Sequence, residues 1–255
     1  METLKDKLKK NELTVGAWVT LGHPAIIEIM AGAGFDWFAV DLEHSMIGMR
    51  EASELIRTID LLGFPALIRV GSCDPHQIKR VMDAGAAGVI VPMVNSREEA
   101  EWAVKAVKYP PRGERGVGLA RAQGYGFAFE RYASSINEKS IVIAQIEHAK
   151  AIEDLENILT TEGIDGTMIG PYDLSGSIGK PGQFDDPGVV RLLETYKRIS
   201  AQCGKPAGIH VVQPDPRVAL GKINEGYRFI AFGVDFLFLG GACRETMRIL
   251  RESPN

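Results

Sequence analysis

The sequence predicts a (β/α)8 barrel, the TIM barrel, as a single α/β domain covering residues 1–255. The chain has 255 residues, and this fold typically takes about 250. Strand-like and helix-like segments alternate from end to end, and no break in composition divides the chain. The strand candidates are apolar without clean alternation, as in strands buried on both faces. An open doubly wound sheet is the alternative, but no candidate has the short, charged character of an edge strand.

The elements follow one another in the order that such a barrel requires. Pro24, Pro75 and Pro214 stand where first-turn prolines are tolerated, and Asp74 and Ser96 are predicted N-caps. The predicted strands are 15–20, 37–43, 65–70, 88–94, 141–147, 166–170, 206–212 and 229–235. The predicted helices are 24–33, 49–62, 74–84, 96–108, 149–158, 186–202, 214–225 and 237–251.

One connection, at about residues 109–140, is much longer than the others. We expect a long loop on the C-terminal rim, because long loops there are usually functional. Its Gly, Arg and Tyr content favours a substrate-covering or interface loop, with Arg112, Arg115 and Arg121 over the mouth of the barrel. A surface excursion without function is the alternative.

Composition excludes several classes of protein. The net charge of −4, with both signs interspersed, argues against a nucleic-acid partner. No apolar run reaches transmembrane length, and the charged N-terminus lacks the apolar region of a secretory signal. The three cysteines are odd in number and widely separated, which indicates buried or half-buried thiols in a reducing compartment. We therefore expect a cytoplasmic enzyme without a membrane partner.

Two carboxylates at the exits of consecutive buried strands carry the most information. Glu147 ends IVIAQIE, and Asp173 follows GTMIG. Parallel strands of a barrel converge at one rim, so these acids can share a divalent cation. Two carboxylates plus waters suit Mg²⁺ or Mn²⁺. Taken singly, each acid is more often a helix cap or a salt-bridge partner.

Two further strand ends bring a base and a cation to the same rim. The strand WFAVDLE is followed directly by His44, a residue type whose ordinary pKa suits a general base, and Asp41 could orient its imidazole. Arg69 closes the strand ALIRV and offers a fork that matches a carboxylate. A backbone-bonded histidine and a buried bridge from Arg69 to Asp41 or Glu43 are the alternatives.

Polar residues inside the strands complete the set. Gln145 shares a strand face with Glu147, so its amide could bind substrate or form a polar layer of the core. His210 lies near the end of the seventh strand and could contact substrate. Lys205 precedes its strand and Lys150 falls on a helix, so no Schiff-base lysine is expected. No nucleotide-binding glycine loop is present either.

Taken together, the motifs resemble the HpcH/HpaI aldolase family from about residue 5 to about residue 250. The motifs are FDWFAVDLEHSMIG, ALIRV, AGAAGVIVPMV, YPPRGERGVG, IAQIEHAKAIE and GIDGTMIGPYDLSGSIGKPG. The resemblance implies a metal-dependent, class II pyruvate aldolase on a barrel of the phosphoenolpyruvate/pyruvate type, using Mg²⁺, Mn²⁺ or Co²⁺.

The resemblance assigns a role to each site residue. It implies metal binding by Glu147 and Asp173, a base at His44 with Asp41 beside it, and pyruvate binding by Arg69. The predicted substrate-binding set is Arg69, Gln145, Tyr172, Asp173 and His210. The stretch ARAQGYGFAFERY and His210 depart from the best-known members, and both lie where the aldehyde would be recognised.

The expected reaction is reversible cleavage of a 4-hydroxy-2-oxo acid to pyruvate and an aldehyde through a metal-stabilised enolate. Oxaloacetate decarboxylation, or condensation of the enolate with a second keto acid, would use the same groups and is the alternative. A non-catalytic binding barrel is the third hypothesis. The resemblance also implies a homohexamer, a trimer of dimers, in which the last helix packs on a neighbour and Asp83 reaches a neighbouring subunit's site.

Overall fold

The computed structural model describes residues 2–252, in which eight parallel strands close a barrel in sequence order. The predicted (β/α)8 fold is confirmed, and the strand ends differ from the predicted ones by at most three residues. The strands are β1 (Thr14–Val19), β2 (Trp37–Asp41), β3 (Ala66–Arg69), β4 (Gly88–Val91), β5 (Ile141–Ile146), β6 (Gly166–Ile169), β7 (Ala207–Val211) and β8 (Phe229–Val234).

Helices surround the barrel and also close one end of it. They are α1 (Leu4–Lys9), α2 (Pro24–Ala31), α3 (Met49–Leu61), α4 (Pro75–Ala84), α5 (Arg97–Val107), α6 (Phe129–Lys139), α7 (Ala149–Glu153), α8 (Leu155–Thr160), α9 (Pro171–Ser177), α10 (Pro187–Gln202), α11 (Pro216–Asn224) and α12 (Asp235–Glu252). A 3₁₀ turn covers Arg121–Gln123. The sequence patterns do not predict α1, α6 or α9, and they predict a single helix over the residues of α7 and α8.

The predicted helix starts hold with one exception. Pro24 and Pro75 open their helices, and Asp74 and Ser96 cap theirs by accepting hydrogen bonds from backbone N–H groups of the first turn. The prediction for Pro214 was wrong, because α11 begins two residues later. There the side chain of Asp215 accepts from the backbone N–H of Arg217, which satisfies a first-turn donor that Pro214 cannot reach.

The interior of the barrel is closed at the N-terminal ends of the strands, an end that we call the foot. Leu4 and Leu8 of α1 are buried against the apolar side chains that fill the barrel, including Trp37 and Phe229. The Trp37 and Phe229 rings stack at 4.3 Å between centroids. A Cβ at Gly16 would lie only 2.1 Å from the Trp37 ring, so a glycine is required there. The foot is therefore packed shut, and the open end, the mouth, lies at the C-terminal ends of the strands.

The long segment at 109–140 lies at the foot, which contradicts the prediction that it covers the mouth. Because α5 runs from the mouth back towards the foot, the residues that follow it start at the foot. There Arg121 bonds the carbonyl oxygen of Ala84, at the C-terminal end of α4, at 3.1 Å. Its Nη2 also lies 2.5 Å from the Asp60 carboxylate on α3.

Arg112 and Arg115, the other arginines of this segment that were expected over the mouth, also lie away from the mouth of their own barrel. Arg115 has a fully buried side chain, stacks on the Tyr109 ring at 4.1 Å and donates to the Tyr132 hydroxyl at 3.1 Å. Arg112 pairs with Glu138, three residues before β5 begins. The segment is therefore a built part of the foot, with its own helix α6, and not a loop over the mouth.

The last helix, α12, projects from the barrel. Phe238 near its start packs edge-on against Phe35 and Phe232. Residues 241–252 are all exposed, including Cys243, which was expected to be at least half-buried. Within residues 2–252, no helix combines the length and the apolar character that a membrane span requires.

Candidate active site

An arginine–aspartate pair stands at the mouth between β2 and β3. The parallel register sets Asp41 directly beside Arg69 at the ends of these strands. The Arg69 Nε donates to Asp41 Oδ1 at 2.8 Å, and Nη2 donates to Oδ2. Burial acts to raise the pKa of Asp41, but the bonds and charge of Arg69 outweigh it, so the pKa is lowered. Asp41 is therefore a fixed anion that holds the guanidinium in place.

The sequence-based expectation that Asp41 orients the His44 imidazole is wrong. Its two carboxylate oxygens accept from Arg69, from the Trp18 indole at 3.2 Å and from the backbone N–H groups of Glu43 and His44. The bridge between Asp41 and Arg69, left open as the alternative, is what the structure contains. Arg69, on the adjacent strand, bonds Asp41 because the register of β2 and β3 places the two residues side by side.

Glu43 supplies a second carboxylate beside the guanidinium. Its Oε2 lies 3.1 Å from Arg69 Nη1, yet this buried oxygen accepts no hydrogen bond from residues 2–252. Burial raises the pKa of Glu43, and the negative charges of Asp41 and Asp173 add to this effect, while Arg69 opposes it. Glu43 therefore retains an acceptor for a group that enters the mouth.

Glu147 lies just beyond β5 and is almost fully buried, at 6% exposure. Its Oε2 accepts from the backbone N–H of Met93 at 3.0 Å, and its Oε1 accepts from the Gln145 amide at 2.7 Å. Met93 has a φ of 55°, a strained value for a residue with a side chain, and this conformation accompanies the bond to Glu147. Gln145 keeps its buried Oε1 without a partner among the described residues.

Asp173 lies in the first turn of α9, four residues after β6 ends, and its side chain is exposed. Burial raises the pKa of Glu147, and the negative charges of Glu43 and Asp173 raise it further. The structure therefore brings the predicted pair together, since the charges of Asp173 and of Glu43 both act on Glu147. Gly170 makes room for it, since a Cβ there would lie 2.9 Å from the Glu147 Cγ.

His44 stands in the loop after β2 with 71% of its side chain exposed. Its Nε2 is 4.0 Å from Glu43 Oε2, and its backbone N–H donates to Asp41 at 3.2 Å. The imidazole can therefore meet a substrate from the solvent side of the mouth, while its backbone is anchored to the Asp41–Arg69 pair. Tyr172, on α9 beside Asp173, is 63% exposed and also reaches solvent.

An aromatic stack lies beside the Arg69 guanidinium at the mouth. The Trp18 ring lies under the Arg69 guanidinium, with its centroid 4.9 Å from Cζ. The His210 ring stacks on Trp18 at 4.6 Å, at an interplanar angle of 23°. Sequence reasoning missed Trp18, because an apolar strand without alternation does not show which residues point inwards. The register of β1 and a bulge after Gly16 decide it.

Asp83 is the one predicted site residue that lies away from the mouth. It is close to the C-terminal end of α4, at the foot, with its Oδ1 3.5 Å from Arg115 Nη1. Burial raises the pKa of Asp83, and the charge of Arg115 opposes this effect. Any role of Asp83 in catalysis would require a second subunit, as the sequence analysis expects.

The donor set of the mouth fits a hard divalent cation that keeps water or substrate among its ligands. Glu147 and Asp173 are carboxylates, and their repulsion with Glu43 is opposed by Arg69, which is itself bound to Asp41, and at Glu43 also by His44. Among residues 2–252, no group of three or more His, Cys, Asp and Glu is arranged to enclose a metal. Two protein carboxylates with open positions are typical of Mg²⁺ sites.

Comparisons with known proteins agree with this fold and show the family. The family model described as HpcH/HpaI aldolase/citrate lyase matches residues 14–239. The 2-keto-3-deoxy-L-rhamnonate aldolase of Escherichia coli (strain K12) is 35% identical over 253 residues, covering 98% of this chain and 94% of that protein. A Burkholderia cenocepacia J2315 protein of the HpcH/HpaI aldolase/citrate lyase family superposes with a TM-score of 0.92 at 31% identity, covering 98% of this chain and 99% of its own. A citrate synthase, SbnG, is 26% identical with a TM-score of 0.85, covering 98% of both chains.

Proposed function

The chain belongs to the HpcH/HpaI aldolase/citrate lyase family and is an aldolase, and we propose that it cleaves a 4-hydroxy-2-oxo acid with the help of a divalent metal ion. The products would be pyruvate and an aldehyde, in a reversible reaction. The observation that carries the proposal is the guanidinium of Arg69, which Asp41 fixes within electrostatic reach of the Glu147 carboxylate, on which the charge of Asp173 also acts. This arrangement matches an oxo acid, whose adjacent carbonyl and carboxylate oxygens can face a cation on each side.

Arg69 would bind the oxo-acid oxygens. Asp41 accepts from two of its N–H groups, which leaves guanidinium donors for a substrate. Because Asp41 and the Trp18 ring fix the guanidinium before substrate arrives, little reorganisation is needed as negative charge develops. Gln145, through its unpartnered Oε1, would receive a donor from a bound water or a protonated oxygen.

Glu147 and Asp173 would hold the divalent cation, with Mg²⁺, Mn²⁺ and Co²⁺ as the candidates. A bound cation supplies Lewis-acid polarisation of the 2-oxo group. The buried Glu147 carboxylate is positioned for this by Met93 and Gln145, which occupy one lone pair on each of its oxygens. Asp173, on the first turn of α9, adds an oxygen from the solvent side.

His44 would take the proton of the 4-hydroxyl group. As the C3–C4 bond breaks, C4 becomes the aldehyde carbonyl and its bonding electrons pass to C3. Protonation of C3 then yields the methyl group of pyruvate. An exposed imidazole beside Glu43 can accept the first proton and exchange it with solvent.

The direct test is pyruvate release from a panel of 4-hydroxy-2-oxo acids, measured with a coupled lactate dehydrogenase assay. Treatment with a chelator should abolish release, and added Mg²⁺ or Mn²⁺ should restore it. Full activity after exhaustive metal removal, or no turnover of any panel member by metal-loaded protein, would contradict the proposal.

A second candidate is oxaloacetate decarboxylation or keto-acid condensation at the same site. The similarity to the citrate synthase SbnG supports this second candidate. The same panel includes oxaloacetate, and turnover of oxaloacetate alone would make this the better description. A non-catalytic barrel is the third candidate, and it predicts no exchange of the pyruvate methyl protons in deuterated water.

We also propose that the active form is a homo-oligomer in the cytoplasm, and a hexamer is what the resemblance implies. The projecting α12 supports an oligomer, since Leu239 and Leu250 are 58% and 65% exposed on one subunit. A partner that covers this helix would bury apolar area of the obligate kind. Asp83 would then face a neighbouring mouth. If light scattering gave a fully active preparation the mass of a single chain, 27.8 kDa, the result would contradict this proposal.

A further inference from the structure

One buried carboxylate at the mouth lies outside the set of proposed catalytic groups. Asp235 follows directly after β8, begins α12 and is only 1% exposed. Its Oδ1 accepts from the Thr20 hydroxyl at 2.7 Å and from the backbone N–H of Phe236 at 2.8 Å. Its Oδ2 accepts from the backbone N–H groups of Thr20 and Leu21, both at 2.8 Å. Hydrogen bonds to a carboxylate are strong, so four of them hold this side chain in one place.

These bonds tie the end of β8 to the chain that leaves β1. Thr20 is the first residue after β1, two positions beyond Trp18. Three of the four donors belong to Thr20 and Leu21, and two of these three are backbone groups. The last pair in the backbone register of the two strands is Trp18 with Val234. The Asp235 carboxylate therefore continues the contact between β1 and β8 past the point where their pairing ends.

This contact is important because the register of the two strands is interrupted just before Trp18. Gly16 pairs with Ala231, but Trp18 pairs with Val234, so β8 has one extra residue between the two pairs. Gly233, within the interruption, has a φ of 70°, the left-handed conformation of a glycine bulge. A bulge disrupts the ladder locally and changes the direction of nearby side chains. The direction of the Trp18 side chain thus depends on the contacts that hold β1 beyond the bulge.

The indole of Trp18 contacts both members of the ion pair at the mouth. Its N–H group donates to Asp41 Oδ2 at 3.2 Å, and the ring centroid lies 4.9 Å from Arg69 Cζ. A guanidinium over an indole ring is attracted to it, so the ring helps to fix Arg69. A displacement of β1 would move the ring away from the group that is proposed to bind the oxo acid.

We propose that Asp235 is a positioning residue, which fixes the end of β1 so that Trp18 holds Arg69 in the orientation that binds the oxo acid. This rests on the proposed aldolase function. Asp235 acts through the loop at Thr20 and through the indole, and not by contact with substrate. Its effect on the reaction can still be large, because a misplacement of about 1 Å in a group that binds substrate can cost about 10²-fold in rate.

The first test observes Trp18 without any reaction. The chain has three tryptophans, so labelling with 5-fluorotryptophan gives three fluorine resonances, and the one missing from Trp18→Phe belongs to Trp18. The amide in Asp235→Asn has one acceptor oxygen in place of two and cannot make all four bonds, so the Trp18 resonance should shift. The resonances of Trp37, inside the barrel at the foot, and of Trp102, on α5, should not. An unchanged Trp18 resonance would overturn the proposal.

The second test is a double-mutant cycle with kcat/KM for cleavage as the readout. Asp235→Asn alone should lower kcat/KM by roughly 10- to 100-fold. In a protein that already carries Trp18→Phe, the same change should cost much less, because the indole through which Asp235 acts is gone. Asp165→Asn is the matched control, since Asp165 is a buried aspartate at the foot, where it pairs with Lys5. It should leave kcat/KM of the folded protein near wild type.

Losses that multiply in the double variant would overturn the proposal, because Asp235 would then act through something other than Trp18. An equal loss in Asp165→Asn would also overturn it, since the loss would then follow from lower stability. If Asp235→Asn does not fold, Thr20→Val takes its place and removes only the hydroxyl donor. It should shift the Trp18 resonance and lower kcat/KM by roughly 3- to 10-fold, the value of one hydrogen bond. The absence of both effects in Thr20→Val would overturn the proposal.

The failure of the underlying function is measured separately, by exchange of the methyl protons of pyruvate in deuterated water. If the wild-type protein does not exchange them and the Trp18 resonance shifts as expected, the aldolase function fails while Asp235 still positions Trp18. If exchange occurs and the resonance does not shift, only the role of Asp235 fails.

Discussion

Buried charges at the two ends of this barrel differ in their partners, as the Lys5–Asp165 pair at the foot and the carboxylates at the mouth show. At the foot, the Lys5 ammonium lies 3.0 Å from the Asp165 carboxylate and 2.5 Å from the Ser140 carbonyl oxygen. Asp165 also accepts from the backbone N–H of Val142 at 2.9 Å. At the mouth, burial raises the pKa of Glu147, the charges of Glu43 and Asp173 raise it further, and Arg69, which opposes this effect, is bound to Asp41.

This difference distinguishes charged groups that stabilise the fold from charged groups that are available to a ligand. A buried charge with a full set of partners stabilises only the native arrangement, and removing one partner is costly. Like charges gathered in one place disfavour the folded state until a cation or substrate joins them. In an α/β barrel this division between the two ends is expected, because catalytic groups come from the C-terminal ends of the strands. The following predictions test the division, from the largest effect to the smallest.

Arg69→Ala should produce the largest loss. Removing the guanidinium withdraws the donors for the oxo acid, so kcat/KM for cleavage should fall by roughly 10³-fold or more. It also leaves the buried Asp41 carboxylate without its partner, at a cost of about 3–5 kcal/mol in stability. Steady-state kinetics, at a temperature where the variant is folded, measures the loss of activity. Thermal melting measures the loss of stability.

Asp41→Asn is the matched control for Arg69→Ala, since it breaks the same pair and keeps the guanidinium. It should lose stability in a comparable way and retain more of the activity. If the two variants lost activity equally, Arg69 would matter through the fold and not through substrate.

Asp165→Asn should show the reverse pattern at the foot. The amide cannot neutralise Lys5, so the free energy of unfolding should drop by about 3–5 kcal/mol, measured by urea denaturation. The metal affinity and kcat/KM of the folded variant should stay near wild type. A large loss of metal affinity in this variant would show that the two ends are coupled and would break the comparison.

Most of the fold could be predicted from the sequence, since apolar runs and helix caps depend on local chemistry. It also contained the mouth residues Glu147, Asp173 and Arg69, because strand ends of a parallel barrel share one rim. It did not reveal that Asp41 bonds Arg69 instead of His44, which follows from the register of β2 and β3. The misplaced segment at 109–140 had a simpler cause. A segment that follows a helix in a βα unit begins at the foot, and chain direction alone should have placed it there.

Gly170→Ala should weaken the metal site while leaving the foot intact. The added methyl group would lie 3.0 Å from Glu147 Oε1, so the carboxylate must move from its position between Met93 and Gln145. Disturbing the support of a metal ligand typically costs 10- to 100-fold in affinity, and titration calorimetry with Mn²⁺ should show a loss of about that size. Gly176→Ala is the matched control, because no atom lies within 4 Å of its added methyl group. Equal Mn²⁺ affinities in the two variants would count against Glu147 as a ligand.

The smallest effect concerns the pH dependence of stability at the foot. Burial and the positive charge of Lys5 together lower the pKa of Lys108 from 10.5 to about 7, although the charges of Asp165 and Glu138 oppose them. Between these two pKa values the unfolded chain binds more protons than the folded protein at this position, so this group makes stability rise as pH increases from about 7 towards 10. The slope attributable to Lys108 is at most about 1.4 kcal/mol per pH unit. Urea denaturation of wild type and Lys108→Met at several pH values isolates it, because the other titrating groups are common to both proteins. We expect the methionine variant to have the flatter profile, and parallel profiles would show that Lys108 keeps its proton through the hydrogen bonds to Asn137 and Ser140.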